Sequence, residues 1–584
     1  MFKNCLQCNS NFEIVSDDLK FYEKISPVFN DKKYLIPPPS LCPECRMQRR
    51  LAYRNDRSLF QSKSDFSGQP IISMYNPEYG CVVYDQKEWW SDKWDGLEYE
   101  KEFDFNKSFF EQFYELQKKV PRFNVFNRDT ENCDFVNYAP HCKNCYLIFG
   151  SWFNEDCLYG QTLNECKDCI DNLFLDRSQF CYENINCNNN YESFFCQNSD
   201  NLMNCYFCFD CKNCNNCIGC FNLRKKEYYI LNEKVSKEEF ESQKNKFSSY
   251  ADLIDFKNKY YELIKNQAIH KALSGSNNEN VTGDFIYNCK NAKHCFSAYR
   301  SQDIAYSSRV FEMKDSYDFE GGGKGELIYE SMSNDFSYNS IACTTCENLT
   351  NSHYCDLCFN CENCFGCIGL KHKKYCVFNK QYTKEEYEKL VPKIIEAMKS
   401  PKSPLTRGLG HPLDKGGLGD CEWGEFFPIS KSPFCYNETM ANEYFPLSQE
   451  EAITKEYRWL KDKKETLNVQ KIIQANLLPD LTKDIPDDIL NWAILPENLQ
   501  MPCNGISTKP FKMTKSELNF YRKMNLPIPR RHPDQRHKDR MTLRNPRKLW
   551  TRNCMKCNIE VQTTYYPERP EIVHCEQCYL KEIA

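Results

Sequence analysis

The chain has 584 residues, 37 of them cysteine, with a formal net charge of −5 and a pI near 6.1. This length exceeds what one hydrophobic core usually supports, and the charge excludes a general attraction for nucleic acid, so we expect several domains. The sequence shows no export signal and no apolar stretch of about 18 residues, so we expect a cytoplasmic protein without membrane contact, whose reduced thiols bind metal or pack.

Two CxxC pairs stand near the start of the chain. A two-residue gap lets both sulfurs of a turn point at one ion, and two such turns complete a closed tetrahedral zinc site. We therefore predict one zinc ion in a zinc-ribbon module over residues 1–95, followed by a helical linker over 96–130. The predicted ligands are Cys5, Cys8, Cys42 and Cys45.

The middle of the chain carries cysteines at a period of 12, usually preceded by Asn or Asp. In a second stretch Ser340 and Ile304 take the same phase, and because Ile cannot replace a metal ligand, most of these thiols are predicted to pack in a core. The fixed period, the short aromatic and β-branched runs and the turn residues predict a parallel β-solenoid with either 12 or 24 residues per coil. The periodic cysteines are Cys133, Cys145, Cys157, Cys169, Cys181, Cys205 and Cys217.

The solenoid is duplicated, since Cys208 to Glu239 matches Cys355 to Glu386 at a constant offset of 147. A capping-box pattern begins a helix after each match, so we predict solenoids with helical caps over 131–275 and 276–400. The CxxCxxC runs at 205–220 and 355–367 leave three alternatives: core packing, a further zinc site, or an iron–sulfur cluster, although the final x3-Cys-Pro element of bacterial ferredoxins is missing.

The remaining segments are a Gly/Pro-rich insertion over 401–420, an aromatic-rich connector over 421–500 and a C-terminal zinc-ribbon module over 501–584. The last module repeats the first, and each copy retains one of two ancestral sites. A second zinc ion is predicted at Cys554, Cys557, Cys575 and Cys578, opposite Ser64, Ser67, Asp85 and Glu88 of the first copy; the first site lies opposite Asn504, Ser507, His532 and Gln535.

Arginines follow the cysteines in both ribbons, which is a plausible phosphate-binding footprint. The alternative is a solvated surface, or one that pairs with acidic residues of the same chain. The candidate nucleic-acid-binding residues are Arg46, Arg49, Arg50, Arg54, Arg536, Arg540, Arg544 and Arg547.

Four segments carry a resemblance that covers nearly the whole chain: CPECRMQRRLAYRN, FYRKMNLPIPRRHPDQRH, YYPERPEIVHCEQCYLKEI and CFGCIGLKHKKYCVFNKQY. The sequence resembles an uncharacterised family of cysteine-rich zinc-ribbon proteins from candidate-phyla bacteria, some of which carry a CaiB/BaiF-type CoA-transferase label. The resemblance implies zinc binding and no established activity.

The expected fold is mainly β with α caps, a duplicated parallel β-solenoid between two zinc ribbons. No HExxH motif or Cys/His/Asn arrangement indicates a catalytic residue. The first functional hypothesis is a zinc-binding scaffold with an unidentified protein partner, as stacked-repeat proteins commonly have. The second is RNA or DNA binding through the arginines, and the third is a redox or transferase enzyme.

Overall fold

The computed structural model describes residues 1–164, 170, 172–176, 178–399, 421–461, 469–496 and 509–583. It confirms a mainly β chain with helices and a large parallel sheet. Cys169, Asn504, Ser507 and the predicted insertion over 401–420 lie outside the described residues. The described α-helices are Ser16–Ile25, Pro43–Leu51, Gln86–Trp90, Phe109–Gln117, Lys237–Lys246, Tyr250–Gln267, Lys384–Lys399, Met440–Tyr444, Gln449–Thr454, Lys515–Met524, Pro533–Thr542 and Glu576–Ile583.

The chain forms two compact units. The first contains Met1–Val125, Leu273–Leu460 and Arg547–Leu549, and the second contains Phe126–Ala272, Lys461–Pro546 and Trp550–Ala584. The N-terminal module thus shares a unit with the second cysteine-rich stretch, and most of the C-terminal module shares one with the first stretch. The seven-segment division expected from the sequence is finer than this and stays a prediction. No helix in the described ranges is both long and apolar enough to cross a membrane.

A 13-stranded, mostly parallel sheet is the centre of the first unit. Successive strands pair at an offset of 12 residues, as Gln302 with Lys314 and Lys314 with Glu326. The sheet consists of Gly275–Ser276, Glu279–Tyr287, Lys290–Tyr299, Gln302–Ala305, Ser308–Phe311, Lys314–Gly323, Glu326–Asp335, Tyr338–Ile341, Thr344–Glu347, Thr350–His353, Glu362–Phe365, Lys374–Val377 and the antiparallel Lys380–Gln381. The unit's other strands are Phe2–Asn4, Asn11–Glu13, Val28–Phe29, Lys32–Lys33, Phe60–Lys63, Pro70–Ser73, Val83–Tyr84 and Arg122–Phe123.

The second unit repeats this parallel pairing with shorter strands. Isolated bridges at the same offset connect its strands, as Phe194 with Tyr206 and Tyr206 with Ile218. Its cysteine-rich part contains Tyr146–Phe149, Leu158–Asn164, Leu173–Asp176, Ile185–Asn188, Asn215–Ile218, Glu227–Ile230 and Glu233–Lys234. Its remaining strands are Ile269–Lys271, Lys471–Gln474, Trp492–Leu495, Trp550–Asn553, Glu560–Thr563 and Ile572–His574.

A left-handed residue at every third position turns the backbone in both stretches, as at Asn201 (φ 56°), Asn204 (φ 54°) and Phe207 (φ 51°). Asn tolerates this conformation because its short side chain hydrogen-bonds locally, and stacked asparagines pair through their amides, as Asn204 Nδ2 donates to Asn216 Oδ1 at 2.7 Å. The residue after each turn points inward. Cys205 and Cys208 therefore lie fully buried in a row of thiols.

Both predicted helix starts are present after the cysteine-rich stretches. Thr383 N–H donates to Glu386 at 2.9 Å, and Glu386 N–H donates back to Thr383 Oγ1 at 3.3 Å, while Ser236 and Glu239 make the same reciprocal pair. Each helix places an aromatic ring against the last parallel strand of its stretch. Tyr387 lies 5.8 Å from Tyr375, and the equivalent Phe240 lies 5.8 Å from Tyr228.

The first helix of the chain packs on the sheet of the first unit through aromatic rings. Phe21 and Tyr22 lie 6.0 and 5.4 Å from the buried ring of Tyr329. On the same helix, Asp18 accepts a hydrogen bond from the Tyr306 hydroxyl at 3.2 Å. Burying these rings removes large apolar areas from water, so the contact anchors the N-terminal module to the sheet.

The helix Lys515–Met524 packs in the same way within the second unit. Phe520 and Tyr521 lie 6.4 and 5.6 Å from Tyr182, and Glu517 accepts from the Tyr159 hydroxyl at 2.9 Å. These residues are the sequence equivalents of those in the first unit. The internal duplication thus includes the packing of each end module on its β-structure.

Candidate metal centres

Two four-cysteine groups form where the CxxC spacing predicted them. Within each group the four sulfur atoms all lie within 4.8 Å of one another. The Cys8 and Cys42 sulfurs are 3.7 Å apart, as are those of Cys557 and Cys575. Four zinc–sulfur bonds of about 2.3 Å in a tetrahedron give sulfur separations of about 3.8 Å, so the cysteines fit one tetrahedral ion per group.

The first half of the N-terminal site is a tight turn between the strands Phe2–Asn4 and Asn11–Glu13. Asn9 adopts a left-handed conformation (φ 59°) and its N–H donates to Cys5 O at 2.9 Å, while Cys5 N–H donates to Ser10 O at 2.9 Å. These bonds fold the turn so that the two sulfurs of the CxxC pair point to the same side.

The second half of this site is the start of a helix. Cys42 directly precedes Pro43–Leu51 and Cys45 lies in its first turn, with proline at the first helical position. The positive end of the helix dipole favours a thiolate there. The hydrogen bond from Leu6 N–H to Ser40 O, at 3.2 Å, joins the turn to the helix start.

The C-terminal site has the same backbone arrangement. Asn558 is left-handed (φ 60°) and donates to Cys554 O at 2.9 Å, and Cys554 N–H donates to Ile559 O at 2.8 Å. Met555 N–H donates to Val573 O at 3.0 Å, and the helix Glu576–Ile583 follows the third cysteine. Two distant parts of the chain have therefore folded the same metal-binding geometry.

Local hydrogen bonds favour the charged form of one cysteine in each site. Contacts with the Cys42 and Cys45 sulfurs hold the pKa of Cys5 well below its usual value. Burial raises the pKa of Cys554, but backbone N–H groups of Cys557 and Cys575 outweigh it and lower that pKa to about 6. In each site three cysteines are buried, and only Cys8 or Cys557 is exposed.

The chain was compared with known proteins. No protein-family model matches it, and no curated protein matches it. The assignment of these sites therefore depends on their geometry.

The cysteine runs in the middle of the chain differ from the terminal groups. In the described ranges, only the two terminal groups bring three or more His, Cys, Asp or Glu ligand atoms within 4.8 Å of one another. The run cysteines are buried, and their thiols donate to the carbonyl two residues earlier. Cys211 Sγ lies 3.5 Å from Phe209 O, and Cys217 Sγ lies 3.2 Å from Asn215 O. The backbone is their hydrogen-bonding partner.

The N-terminal arginines are buried against carboxylates of the first unit. Arg46 and Arg50 lie 2.9 and 3.0 Å from Asp318 Oδ1, and Arg49 lies 2.9 Å from Glu330 Oε1. Burial raises the pKa of Glu330, and the arginines oppose that effect. Sequence reasoning missed these two acidic residues, which lie among apolar positions of the second cysteine-rich stretch.

The other candidate arginines also contact groups of their own unit. Arg54 Nε donates to Asp56 at 2.7 Å, Arg536 lies 3.4 Å from Glu517, and Arg547 lies 3.0 Å from Glu320. Arg540 is buried, and with Lys257 its positive charge lowers the pKa of Glu183 against the effect of burial. Arg544 is half-buried. These contacts are those of the intramolecular alternative.

Proposed function

We propose that this protein is a zinc-binding, non-catalytic scaffold. The observation that carries the proposal is the convergence of four cysteine sulfurs, within 4.8 Å of one another, at each of two sites. Four thiolates fill the tetrahedral shell of a zinc ion and leave no position for a substrate or an activated water, which is typical of structural sites. The metal then stabilises short hairpins that have little core of their own.

We further infer that the cysteine-rich stretches are parallel β-solenoids with 12 residues per coil. The constant pairing offset of 12 and the left-handed residue at every third position support this interpretation. Charged side chains pair along the outside of the stack, as Lys314 with Glu326 at 3.1 Å and Lys374 with Glu362 at 2.6 Å. Stacked repeats offer such long regular surfaces to protein partners, and the free thiols of the described residues suit a cytoplasmic protein.

Nucleic-acid binding through the ribbon arginines is the weaker proposal. Seven of the eight candidate side chains are at most 8% exposed, so a phosphate would have to compete with buried carboxylates. Binding of RNA or DNA with a steep salt dependence, lost in the Arg544→Ala/Arg547→Ala variant, would favour it. An absence of binding at low salt would end it.

The test of the scaffold proposal is the metal content of anaerobically purified protein, by native mass spectrometry with elemental analysis. We expect two zinc ions per chain, one fewer in Cys5→Ser and in Cys554→Ser, and none in the double variant. Cys208→Ser, which changes a run cysteine, is the matched control and is expected to keep both ions. A folded protein without zinc would refute the proposal. Iron, or four or more zinc ions, would make the cysteine runs metal sites.

A further inference from the structure

A second hairpin of the N-terminal module has the backbone of a zinc site but no cysteine. Its strands Phe60–Lys63 and Pro70–Ser73 pair in the same register as Trp550–Asn553 and Glu560–Thr563, which flank the turn of the C-terminal site. The two hairpins occupy equivalent positions in the duplicated module.

The turn of this hairpin keeps the hydrogen bonds of a metal-binding turn. Ser64 N–H donates to Gln69 O at 2.9 Å, and Gly68 N–H donates to Ser64 O at 2.8 Å. Gly68, with φ 73°, takes the left-handed position of Asn558. Asp65 N–H donates to Val83 O at 2.8 Å, as Met555 N–H does to Val573 O at 3.0 Å.

Oxygen atoms replace sulfur at the centre. The hydroxyl of Ser64, which is 2% exposed, donates a short hydrogen bond to Glu88 Oε2. Asp85 N–H donates to Glu88 Oε2 at 3.2 Å and to Ser64 Oγ at 3.4 Å. The second of these bonds has a counterpart in the C-terminal site, where Cys575 N–H donates to Cys554 Sγ at 3.3 Å.

The helix start is also preserved. Asp85 takes the position of Cys575 immediately before the helix Gln86–Trp90, and its carboxylate accepts from Lys87 N–H at 2.8 Å. Burial raises the pKa of Glu88, but hydrogen bonds from the Ser64 and Ser67 hydroxyls lower it overall, so Glu88 is a carboxylate at neutral pH. A carboxylate that accepts several hydrogen bonds connects the turn to the helix, which is what a metal ion does in the other two sites.

We propose that Ser64, Ser67, Asp85 and Glu88 form a metal-free counterpart of the four-cysteine sites, in which hydrogen bonds take the place of zinc while the backbone keeps its metal-binding geometry. Four cysteines at these positions would convert it into a third tetrahedral zinc site. This inference rests on the proposed function in taking zinc as the metal of the two existing sites.

The first experiment compares zinc content in the full-length protein and in the Ser64→Cys/Ser67→Cys/Asp85→Cys/Glu88→Cys variant. We expect two ions in the unchanged protein and three in the variant. The matched control is Ser64→Cys/Ser67→Cys, which supplies only two thiolates and is expected to keep two ions. A folded four-cysteine variant that still binds two ions would overturn the inference.

A second experiment decides the matter if the four-cysteine variant does not fold. Hydrogen exchange is measured on the unchanged protein before and after zinc is removed with a chelator. The amides of Asn9 and Asn558 are expected to lose protection at least tenfold, while the amide of Gly68 keeps its own, because its turn is closed by hydrogen bonds. Equal loss at all three amides would overturn the inference.

The two experiments also separate this inference from the proposed function. Unchanged protein that contains no zinc would refute the proposed function. Two ions in the unchanged protein, together with loss of protection at Gly68 on chelation, would refute only the metal-free site.

Discussion

The inward residue after each left-handed turn is a hydrogen-bonding relay as well as a packing group. Ser331 Oγ donates to Tyr329 O at 3.1 Å and accepts from Cys343 N–H at 3.1 Å. Cys346 Sγ occupies the same kind of position, donating to Thr344 O at 3.3 Å and accepting from Cys358 N–H at 3.4 Å. Small side chains that both donate and accept satisfy the buried backbone, which explains why Ser and Cys exchange at a fixed phase.

Replacing Ser331 tests this relay. Ser331→Ala leaves the buried N–H of Cys343 without its acceptor, so we expect a loss of about 1–3 kcal/mol in the free energy of unfolding. Ser331→Cys keeps both hydrogen bonds, and we expect a smaller loss. Denaturant unfolding measures both variants, and equal stability of Ser331→Ala and the unchanged protein would show that packing alone matters.

Glu438 gives the first unit a pH-dependent stability. The residue is 5% exposed, its Oε2 accepts from Cys435 N–H, and burial raises its pKa from 4.5 to about 7 despite the charge of Arg458. Because the folded state holds the proton more tightly, the stabilisation from this group is complete below pH 4.5 and is lost as the pH rises through 7.

The variant Glu438→Gln isolates this effect. It keeps an oxygen to accept from Cys435 N–H but carries no charge, so its stability relative to the unchanged protein should rise by up to about 3 kcal/mol between pH 5 and 8. Denaturation midpoints across that range measure the difference. A constant difference would mean that Glu438 does not titrate there.

At the scale of the element, each end-module helix is held by aromatic contact with one buried tyrosine, Tyr329 in the first unit and Tyr182 in the second. The sequence indicated the helix starts and the duplication, but not these contacts, because residues hundreds of positions apart form them. The equivalent pairs at Tyr306 and Tyr159 strengthen the same contacts through Asp18 and Glu517.

Truncating these tyrosines tests the contacts. Tyr329→Ala and Tyr182→Ala each open a cavity between helix and β-structure, and we expect each to destabilise its own unit by about 3–5 kcal/mol. Tyr329→Phe is the control, because its buried hydroxyl has no hydrogen-bond partner and its loss should cost little. Thermal unfolding followed by hydrogen exchange assigns the change to a unit. An effect of Tyr329→Phe as large as that of Tyr329→Ala would contradict the ring-packing account.

At the scale of the whole molecule, thiol accessibility distinguishes the two fates of cysteine. In the described ranges Cys8 and Cys557 are exposed metal-site residues, Cys81, Cys133 and Cys421 are half-buried, and the other cysteines are buried. Burial and the backbone hydrogen bonds of the run cysteines make them poor nucleophiles, whereas an exposed thiolate reacts readily.

Labelling with N-ethylmaleimide, read by peptide mass spectrometry, tests this division. In zinc-loaded protein we expect reaction at the three half-buried cysteines. Removal of zinc should add Cys8 and Cys557, and the run cysteines should react only after unfolding. Rapid labelling of Cys208 or Cys358 in the folded protein would mean that the cores open.

The sequence by itself determined the local features whose signals lie within a few residues. The CxxC spacing gave the ligands of both four-cysteine groups, and the capping boxes gave the helices after Ser236 and Thr383, because turn and cap geometry depend on neighbouring residues. The period of 12 likewise gave the pairing offset, since a repeat must place equivalent residues in register.

Only the tertiary structure decided what the arginines contact and how the two copies are joined. Arg46 lies 272 residues before Asp318, and a run of basic residues reads the same whether it faces solvent or a buried carboxylate. Likewise, Ser64 and Glu88 read as a lost metal site until the fold placed them in a hydrogen bond. Long-range pairing of this kind depends on which surfaces pack together, which no local pattern encodes.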